Sequence, residues 1–346
     1  MIATDLYIIF VYELLLTQIQ RMKTVHILVP ETAVPAAVVD PQYMFTAINE
    51  FLKASGQPPF FKVVLLGVTS EIRLSGGLVV IKPDALLEEV DQSDLIIVPA
   101  LSGDLSVALE KNKQMVSWIT HRYQQGAEVA SLCIGAFLLA STGLLNGKTC
   151  STHWMHAQTF RSMFPEVTLV DDRVISEQNG LYSSGGANAY WSLLLYLVEK
   201  YTSREMAVMA SKYFLLDMEK TSQLPFSIFK GQKSHGDELI LASQGYLEKH
   251  YDEKIGVEQL ADRFGLGRRT FERRFKKSTS NTVVEYMQRI KIEAAKKQLE
   301  QGRKTVSEIM YEVGYNDPKA FREVFKKYTD MSPIDYRSKF KSQKPD

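Results

Sequence analysis

A stretch near the C-terminus is repeated after 50 residues, and this repeat constrains the fold more than any other feature of the sequence. FKKSTSNTVVEY begins at Phe275 and FKKYTDMSPIDY begins at Phe325. The Phe-Lys-Lys start, a Thr and the closing Tyr superpose in the two copies. A period of this length indicates one supersecondary unit that is used twice.

The first copy predicts a helix, a tight turn and a second helix. Gly265 supplies the positive φ that a tight turn needs, and it follows apolar residues at helical spacing. Phe271 and Phe275 are four residues apart, so they lie on one face of the second helix and pack it on the core. The apolar face of the first helix is predicted to be Val257, Leu260, Ala261 and Phe264.

The second copy repeats this pattern with one inserted residue. Gly314 takes the turn position, and Asp317 and Pro318 are predicted to be the N-cap and the first residue of the following helix. The preceding apolar face is Val306, Ile309, Met310 and Val313. A helix over 282–301, ended by Gly302, is predicted to separate the two copies rigidly.

The outward faces of the two second helices are basic. Residues 263–346 contain 21 Lys and Arg against 11 Asp and Glu, whereas residues 1–262 are acidic by nine charges. One basic helix alone would also fit a solvated surface, but two copies with matched turns favour DNA, since a helix enters the major groove and Arg and Glu read base edges there. The residues predicted to face outward are Arg268, Arg269, Glu272, Arg273 and Lys276 in the first copy and Lys319, Arg322, Glu323, Lys326 and Lys327 in the second.

Residues 239–340 resemble the AraC-type DNA-binding domain, through GLGRRTFERRFKK, VGYNDPKAFREVFKKYT and the closing SPIDYR. The resemblance implies an all-α domain of seven helices, whose two helix-turn-helix units read adjacent major grooves on one face of the duplex. Glu323 departs from relatives that carry Arg at its position. Carried over by position, the base-reading residues are Arg269, Glu272 and Arg273 in the first unit and Lys319, Arg322 and Glu323 in the second.

Ahead of this region, apolar runs of strand length alternate with helical patterns. Continuous apolar strands with intervening helices predict a flavodoxin-like parallel sheet flanked by helices on both faces, with ligands at the carboxyl ends of the strands. The predicted strands lie at 24–30, 61–68, 77–83, 95–100, 128–134 and 180–186, and the predicted helices at 45–56, 106–126, 135–145 and 187–201.

In ASLCIGAFLLA, from Ala130 to Ala140, a predicted strand turns sharply into a helix at Cys133. Ser131 and Gly135 provide the small neighbours that a nucleophile elbow requires. The N-terminus of the following helix is expected to lower the pKa of the thiol and to favour the thiolate.

Residues 24–215 resemble the PfpI-like branch of the class I glutamine-amidotransferase superfamily. The whole chain resembles the GlxA-type regulators, in which such a domain precedes an AraC-type module. The stretch SLCIGAFLLASTGLLNGKTCSTHW carries this resemblance. Regulators of this type often govern catabolism of amino acids or amines, which favours a small nitrogenous effector.

The resemblance pairs Cys133 with His153, 20 residues later. The other supports for covalent catalysis are altered. The acid that relatives carry after the first strand falls on Ala37, with Glu31 in the same loop as the substitute, and Ala100–Leu101 replaces the glycine pair that helps to build an oxyanion hole. No residue is therefore asserted to be catalytic, and the candidates are Cys133, His153 and Glu31.

Three interpretations of the front domain stay open. The favoured one is a non-catalytic sensor of a small molecule. The others are a thiol-dependent amidase or deglycase-like hydrolase tethered to DNA, and a redox sensor that acts through Cys133. The turn at 183–186 either offers amides to an anionic group or caps a helix. The predicted ligand pocket is lined by Cys133, Ile134, His153, Ser184 and Gly185.

The domain organisation follows from these patterns. The apolar start of the chain is interrupted by Asp5 and Glu13 and has neither a basic beginning nor a cleavage site, which argues against a signal peptide and a membrane span. It is interpreted as an upstream-start extension or a loosely docked helix. The predicted segments are 1–22 (extension), 23–220 (sensor domain), 221–236 (linker), 237–340 (DNA-binding domain) and 341–346 (tail).

The expected surroundings follow from the same features. Two cysteines are too few for a disulfide framework, so a reducing cytosol is expected. The sequence shows neither a metal-ligand cluster nor a phosphate-binding glycine motif, so no metal or other cofactor is expected. The expected partners are double-stranded DNA, an unknown small-molecule effector and a second copy of the chain in a homodimer, with RNA polymerase as a further candidate; no membrane partner is expected.

Overall fold

A sheet of mostly parallel strands organises the first part of the chain. The computed structural model describes residues 22–219 and 221–341, and the chain divides into two units, Met1–Thr221 and Ser222–Asp346. Most of the predicted extension and tail, 1–21 and 342–346, therefore lies outside the described residues. The strands are β1 (Lys23–Leu28), β2 (Phe61–Gly67), β3 (Ile72–Leu74), β4 (Val79–Ile81), β5 (Ala85–Leu86), β6 (Leu95–Val98), β7 (Glu128–Ser131), β8 (Thr149–Cys150), β9 (Thr168–Leu169), β10 (Ile175–Gln178) and β11 (Leu181–Ser184).

Helices cover both faces of this sheet. Ile27 and Ile97 contribute to the core on one face, which α1 and α6 complete. Leu28 and Ile96 contribute to the core on the other face, together with α3 and α4. This alternation is the period of two that a buried strand imposes on its side chains. The helices of the first unit are α1 (Pro35–Ala54), α2 (Leu105–Lys111), α3 (Lys113–Gln124), α4 (Ala136–Ala140), α5 (Ala157–Met163), α6 (Tyr190–Tyr201) and α7 (Arg204–Phe214).

The strand order of the main sheet is β10-β11-β7-β6-β1-β2-β5. All neighbours are parallel except β10 and β11. Counting only β1, β2, β6, β7 and β11, the order is the 2-1-3-4-5 of flavodoxin-like folds, which confirms the predicted architecture. The direction of winding reverses between β1 and β6, so the carboxyl ends of these strands form the crevice where such folds bind ligands.

Several elements differ from the prediction. The strand predicted at 77–83 is β4, which pairs with β3 in a separate antiparallel ribbon. The helix predicted at 106–126 is interrupted at Asn112, a buried residue whose amide group donates to the carbonyl of Ala108 at 2.8 Å. The helix predicted at 135–145 reaches only Ala140, because the chain then enters a turn with Gly143 at φ 75°.

The second unit is helical. Its described residues contain seven α-helices, the number that the resemblance implies. Of the predicted linker, 221–236, Thr221 belongs to the first unit, and residues 222–236 belong to the second, where Phe229 and Gln232 contact these helices. None of the helices in the two described ranges has both the length and the apolarity needed to cross a membrane. The helices are α8 (Glu238–Lys249), α9 (Val257–Arg263), α10 (Arg268–Thr279), α11 (Val283–Gln301), α12 (Val306–Glu312), α13 (Pro318–Thr329) and α14 (Pro333–Phe340).

Candidate functional sites

The second unit contains one motif twice, at the offset that the sequence repeat predicts. α10 and α13 are each 12 residues long. Phe271 and Phe275 are buried under α10, and Phe321 and Phe325 are buried at the equivalent positions under α13. These aromatic pairs fix which face of each helix points inward, so the residues on the opposite face point outward.

The two turns differ in how closely they are packed. Gly265 has φ 66° and Gly314 has φ 76°, so both occupy the left-handed region that favours glycine. A Cβ added at Gly265 would meet nothing within 4 Å, whereas one at Gly314 would lie 2.2 Å from the carbonyl oxygen of Asp252. The buried Lys291 on α11 donates from Nζ to the carbonyl of Val313 at 3.1 Å, which satisfies the C-terminal end of α12.

The outward faces of α10 and α13 carry charges that are available for contact. All ten residues predicted to face outward are exposed. Arg268 and Glu272 form an ion pair of 3.5 Å between half-exposed side chains, which contributes only about 0–1 kcal/mol and so does not lock either group. Arg322 donates from Nε to the carbonyl of Pro318 in its own helix at 3.1 Å. The two basic helices therefore share one pattern of buried and exposed positions, and each presents Arg and Lys donors that can bind a polyanion.

One basic residue of α10 has a different role, which the sequence pattern did not reveal. Arg274 donates to both carboxylate oxygens of Asp237, at 2.9 and 2.6 Å. Asp237 also caps α8, and the hydrogen bond from Arg274 holds the pKa of its carboxyl below the usual range. The two residues are 37 positions apart, so neither helical spacing nor charge patterning could indicate the pair.

In the first unit, Cys133 lies at the carboxyl end of β7 with φ 53°, a left-handed conformation that is strained for a residue with a Cβ. Gly135 follows, and a Cβ there would lie 2.4 Å from the carbonyl oxygen of Val98 and 2.5 Å from that of Pro99. Only glycine permits this approach to the end of β6. The backbone therefore has the geometry of the predicted nucleophile elbow.

The chemistry of the thiol does not match that backbone geometry. Cys133 is only 4% exposed, and burial raises the pKa of its thiol to about 12. The expectation of a lowered pKa was therefore wrong in direction. The following helix, α4, has only five residues, and its N-terminus does not offset the desolvation of a buried thiolate. At neutral pH the side chain is a neutral thiol.

His153 is engaged within its own turn. Its Nδ1 accepts a hydrogen bond from the backbone N–H of Met155 at 3.1 Å, and its ring lies against those of Trp154 and His156. Burial, and then the nearby His156, lower the pKa of His153. Within the described ranges, no hydrogen bond joins His153 to Cys133.

The acid and oxyanion positions are occupied by other interactions. Glu31 pairs with Lys111 at 3.6 Å, and its carboxylate is half exposed. Ala37 lies in the first turn of α1 and is buried in the core. The Ala100 carbonyl accepts from the N–H of Val34 at 2.8 Å, and Leu101 forms an isolated β-bridge with Ala33. The loops after β1 and β6 are thus joined to each other at the crevice.

A tyrosine near Cys133, Tyr190, is hydrogen-bonded to an acidic residue, Asp40. The Tyr190 hydroxyl donates to Asp40 at 2.6 Å. Burial, the hydrogen bond to Asp40 and the nearby Cys133 all raise the pKa of Tyr190. Tyr190 and Asp40 are 150 residues apart, and sequence reasoning considered neither as a site residue.

The turn at 183–186 uses its polar groups internally. Ser184 accepts at Oγ from the N–H of Cys133 at 3.3 Å, and the N–H of Gly185 donates to the carbonyl of Val174 at 2.8 Å. The Ser183 hydroxyl accepts from the N–H of Ser151 at 2.7 Å. The Gly185 amide is therefore not presented to an anion in this conformation. Ile134, the remaining predicted pocket residue, is half-buried beside Cys133. The described residues contain no group of three His, Cys, Asp or Glu side chains placed to hold a metal ion.

Comparison with known proteins gives a family to each unit. Residues 42–200 match the DJ-1/PfpI family, and residues 260–339 match a helix-turn-helix domain. The HTH-type transcriptional regulator GbdR of Pseudomonas aeruginosa is 24% identical over 261 residues, which are 74% of this chain and 69% of GbdR. The HTH-type transcriptional regulator GlxA of Rhizobium meliloti is 22% identical over 209 residues, 60% of this chain and 64% of GlxA. The first unit also resembles the crystal structure of a protein from Vibrio parahaemolyticus that is named as a candidate transcriptional regulator. The alignment covers 56% of this chain and 99% of the Vibrio chain, with a TM-score of 0.50 and 21% sequence identity, which supports the fold of the first unit.

Proposed function

We propose that the chain is a GlxA-type regulator, in which a DJ-1/PfpI domain precedes an AraC-type helix-turn-helix domain, and that it regulates transcription by binding DNA under the control of a small molecule. The observation that carries this proposal is the pair of matched basic helices, α10 and α13, on buried aromatic anchors. Two such helices on one rigid unit suit two successive stretches of major groove.

The contacts to DNA divide into two kinds. Charged side chains in the first half of each helix read base edges, and the basic residues that flank them meet phosphates. The base-reading set is Arg269, Glu272 and Arg273 on α10 and Lys319, Arg322 and Glu323 on α13, and the phosphate-binding set is Arg268, Lys276 and Lys326.

A selection experiment tests the proposal. The full-length protein is used to enrich bound fragments from a random DNA library, and the enriched sequence is then measured by fluorescence anisotropy. We expect a site with two recognised segments, and an affinity that falls steeply with rising salt as phosphate contacts displace counterions. Absence of any enriched sequence, or binding that is insensitive to salt, would refute it.

We propose that the first unit senses a ligand and does not catalyse a reaction. The support is chemical: Cys133 is a neutral buried thiol, His153 is held by Met155, and Glu31 is paired with Lys111. The ligand site then lies at the crevice next to the elbow, with Cys133, Ile134, His153, Ser184 and Gly185 around it. A metabolite screen by thermal shift identifies the effector, since a ligand that binds only the folded protein raises its melting temperature.

The strained backbone at Cys133 favours one second candidate, a thiol-dependent hydrolase, because such strain is often retained at nucleophiles. Hydrolysis of test amides by the wild type that disappears in Cys133→Ala would support it. Ligand-dependent DNA binding that persists in Cys133→Ala supports the plain sensor. DNA binding that responds to peroxide only when Cys133 is present would instead indicate a redox sensor.

The proposed partners are double-stranded DNA, the effector, a second copy of the chain and RNA polymerase. Homodimerisation rests on the resemblance to the family and is tested by sedimentation equilibrium of the full chain. An effector changes DNA binding only if it favours one of two conformations of the protein, and by no more than its difference in affinity for them.

A further inference from the structure

The segment that leads into the second unit, residues 222–237, lies along α11 and is held at several points. The ring of Phe226 packs edge-on against Phe340 at 5.6 Å. The carbonyl of Ser227 accepts from the buried ammonium group of Lys296. Gln232 accepts at Oε1 from the side-chain amide of Asn281 at 3.0 Å. The segment thus contacts both helix-turn-helix halves.

Phe229 lies between these points and connects to the first recognition helix. Its N–H donates to the carboxylate of Glu293 at 3.1 Å, which fixes the backbone on α11. Its ring meets that of Tyr286 edge-on, with centroids 5.1 Å apart. Tyr286 is fully buried and packs in turn against Phe275 of α10 at 5.3 Å. Phe229 therefore contacts, through Tyr286, the buried side chain that anchors α10.

Phe229 also connects to the second recognition helix. The guanidinium of Arg289 lies 5.3 Å from the Phe229 ring and 5.1 Å from the ring of Tyr328, on α13. The Tyr328 hydroxyl donates to Gln288 on α11 at 3.0 Å. The Nε of Arg289 is buried and has no hydrogen-bond partner among the described residues, so the rings contribute directly to the placement of this guanidinium.

There is room for the ring to move. A half-open pocket of about 420 Å³ lies beside Phe229 and is lined both by apolar side chains, among them Ile290 and Ala294, and by charged ones such as Glu248 and Lys297. A ring next to such a pocket can change position without displacing a close-packed core. A displacement of the segment 222–237 can therefore move Phe229 without unfolding either helix-turn-helix half.

We propose that Phe229 is a positioning residue for two-site DNA recognition: through Tyr286 and Arg289 it fixes the orientation of α10 relative to α13. This proposal rests on the proposed function, and it names the residue that sets the relative orientation of the two recognition helices. Phe229 belongs to the segment that leads from the first unit into the second, so the same side chain that contacts Tyr286 and Arg289 also lies near the boundary between the units.

The test compares Phe229→Ala with Ile228→Ala in the full-length protein. Ile228 is the neighbouring apolar residue of the same segment and is 48% exposed, so its removal serves as a matched control. Phe229→Tyr keeps the ring and serves as the rescue variant. Each protein is titrated by anisotropy against the selected two-segment site, and against the same DNA with the segment read by α13 scrambled.

We expect Phe229→Ala to weaken binding to the complete site by about tenfold or more, since linked modules lose avidity when their geometry is loosened. Binding to the scrambled site should change by less than about twofold, and Ile228→Ala and Phe229→Tyr should match the wild type on both DNAs. An unchanged affinity of Phe229→Ala for the complete site, or an equal loss on both DNAs, would overturn the proposal. Failure of the wild type to bind any selected DNA would instead refute the proposed function itself.

Discussion

The two turn glycines offer a comparison within one chain. Gly265 and Gly314 occupy equivalent positions and both have positive φ, but only Gly314 lies against another backbone segment. Replacing each with alanine separates two effects that are usually combined. Gly265→Ala imposes the backbone strain alone, and Gly314→Ala adds a steric conflict with Asp252 and Lys291.

The magnitudes follow from the geometry. A left-handed conformation costs a residue with a Cβ about 1–2 kcal/mol, and this applies to both variants. At Gly314 the new methyl group would lie 2.2 Å from the Asp252 carbonyl oxygen and 2.6 Å from Nζ of Lys291. Relieving such overpacking typically costs a further ~1–3 kcal/mol. We therefore expect the helical unit to lose about 1–2 kcal/mol in Gly265→Ala and about 2–5 kcal/mol in Gly314→Ala.

Thermal unfolding can follow the two units separately. All three tryptophans, Trp118, Trp154 and Trp191, lie in the first unit, so their fluorescence reports that unit, while circular dichroism at 222 nm also reports the helical one. At roughly 4 °C per kcal/mol, Gly314→Ala should lower the melting temperature of the helical transition by about 8–20 °C and Gly265→Ala by about 4–8 °C. The tryptophan transition should stay where it is. Equal shifts in both variants would refute the claim that close approach to Asp252 is what requires glycine at Gly314.

Three further predictions test other parts of the molecule. Arg273→Ala should weaken binding to the selected DNA by about 1–3 kcal/mol if a bidentate guanine contact is lost, whereas Lys276→Ala should weaken all sequences alike and reduce the salt dependence; equal affinity of Arg273→Ala and wild type would reject the base-reading assignment. Because burial raises the pKa of Cys133 to about 12, iodoacetamide at pH 7.5 should alkylate it on the order of 10³-fold more slowly than an exposed cysteine. The reaction is followed by intact mass. Rapid alkylation of Cys133 in the folded protein would contradict the assignment of a neutral thiol. Burial, followed by the charge of Lys62, lowers the pKa of His26 to about 4, so below pH 6.5 the unfolded chain binds a proton that the folded chain does not. The free energy of unfolding of the first unit should therefore fall by up to about 3 kcal/mol between pH 6.5 and 4, as measured by urea unfolding. His26→Gln should remove this excess loss, and an unchanged pH dependence in that variant would contradict the assignment.

Local patterns predicted the helical unit well because the decisive residues are close in sequence. The spacing of Phe271 and Phe275, and of Phe321 and Phe325, determines which face of each helix is buried. Once that face is known, the exposed charges follow from helical geometry alone. The flavodoxin-like sheet was predictable for a similar reason, since strands buried on both faces are continuously apolar.

Contacts between residues distant in sequence account for what the sequence did not predict. Asp237 and Arg274 are 37 residues apart, and Asp40 and Tyr190 are 150 apart, so no periodicity indicates either pair. The pKa of Cys133 was misjudged because the sequence shows the elbow but not the depth of burial. Desolvation of the thiolate depends on the completed core, and here it exceeds the effect of a five-residue helix.

The size of the contacts around Phe229 bears on whether they can transmit regulation. A tenfold change in DNA affinity corresponds to about 1.4 kcal/mol, and typical coupling between two sites in a protein is about 1–3 kcal/mol. A partly desolvated cation–π contact such as that of Arg289 with Phe229 contributes about 0.5–2 kcal/mol, and the charge-assisted hydrogen bond from the Phe229 N–H to Glu293 about 1.5–3 kcal/mol. The free energies of these two contacts are therefore of the same size as a typical coupling between two sites. Phe229→Ala removes the cation–π contact and leaves the backbone hydrogen bond to Glu293. An effector that binds the first unit equally well whatever the position of Phe229 changes nothing. The decisive quantity is the factor by which the effector changes DNA affinity, measured in the wild type and in Phe229→Ala; within each protein, linkage requires DNA to change the effector affinity by the same factor.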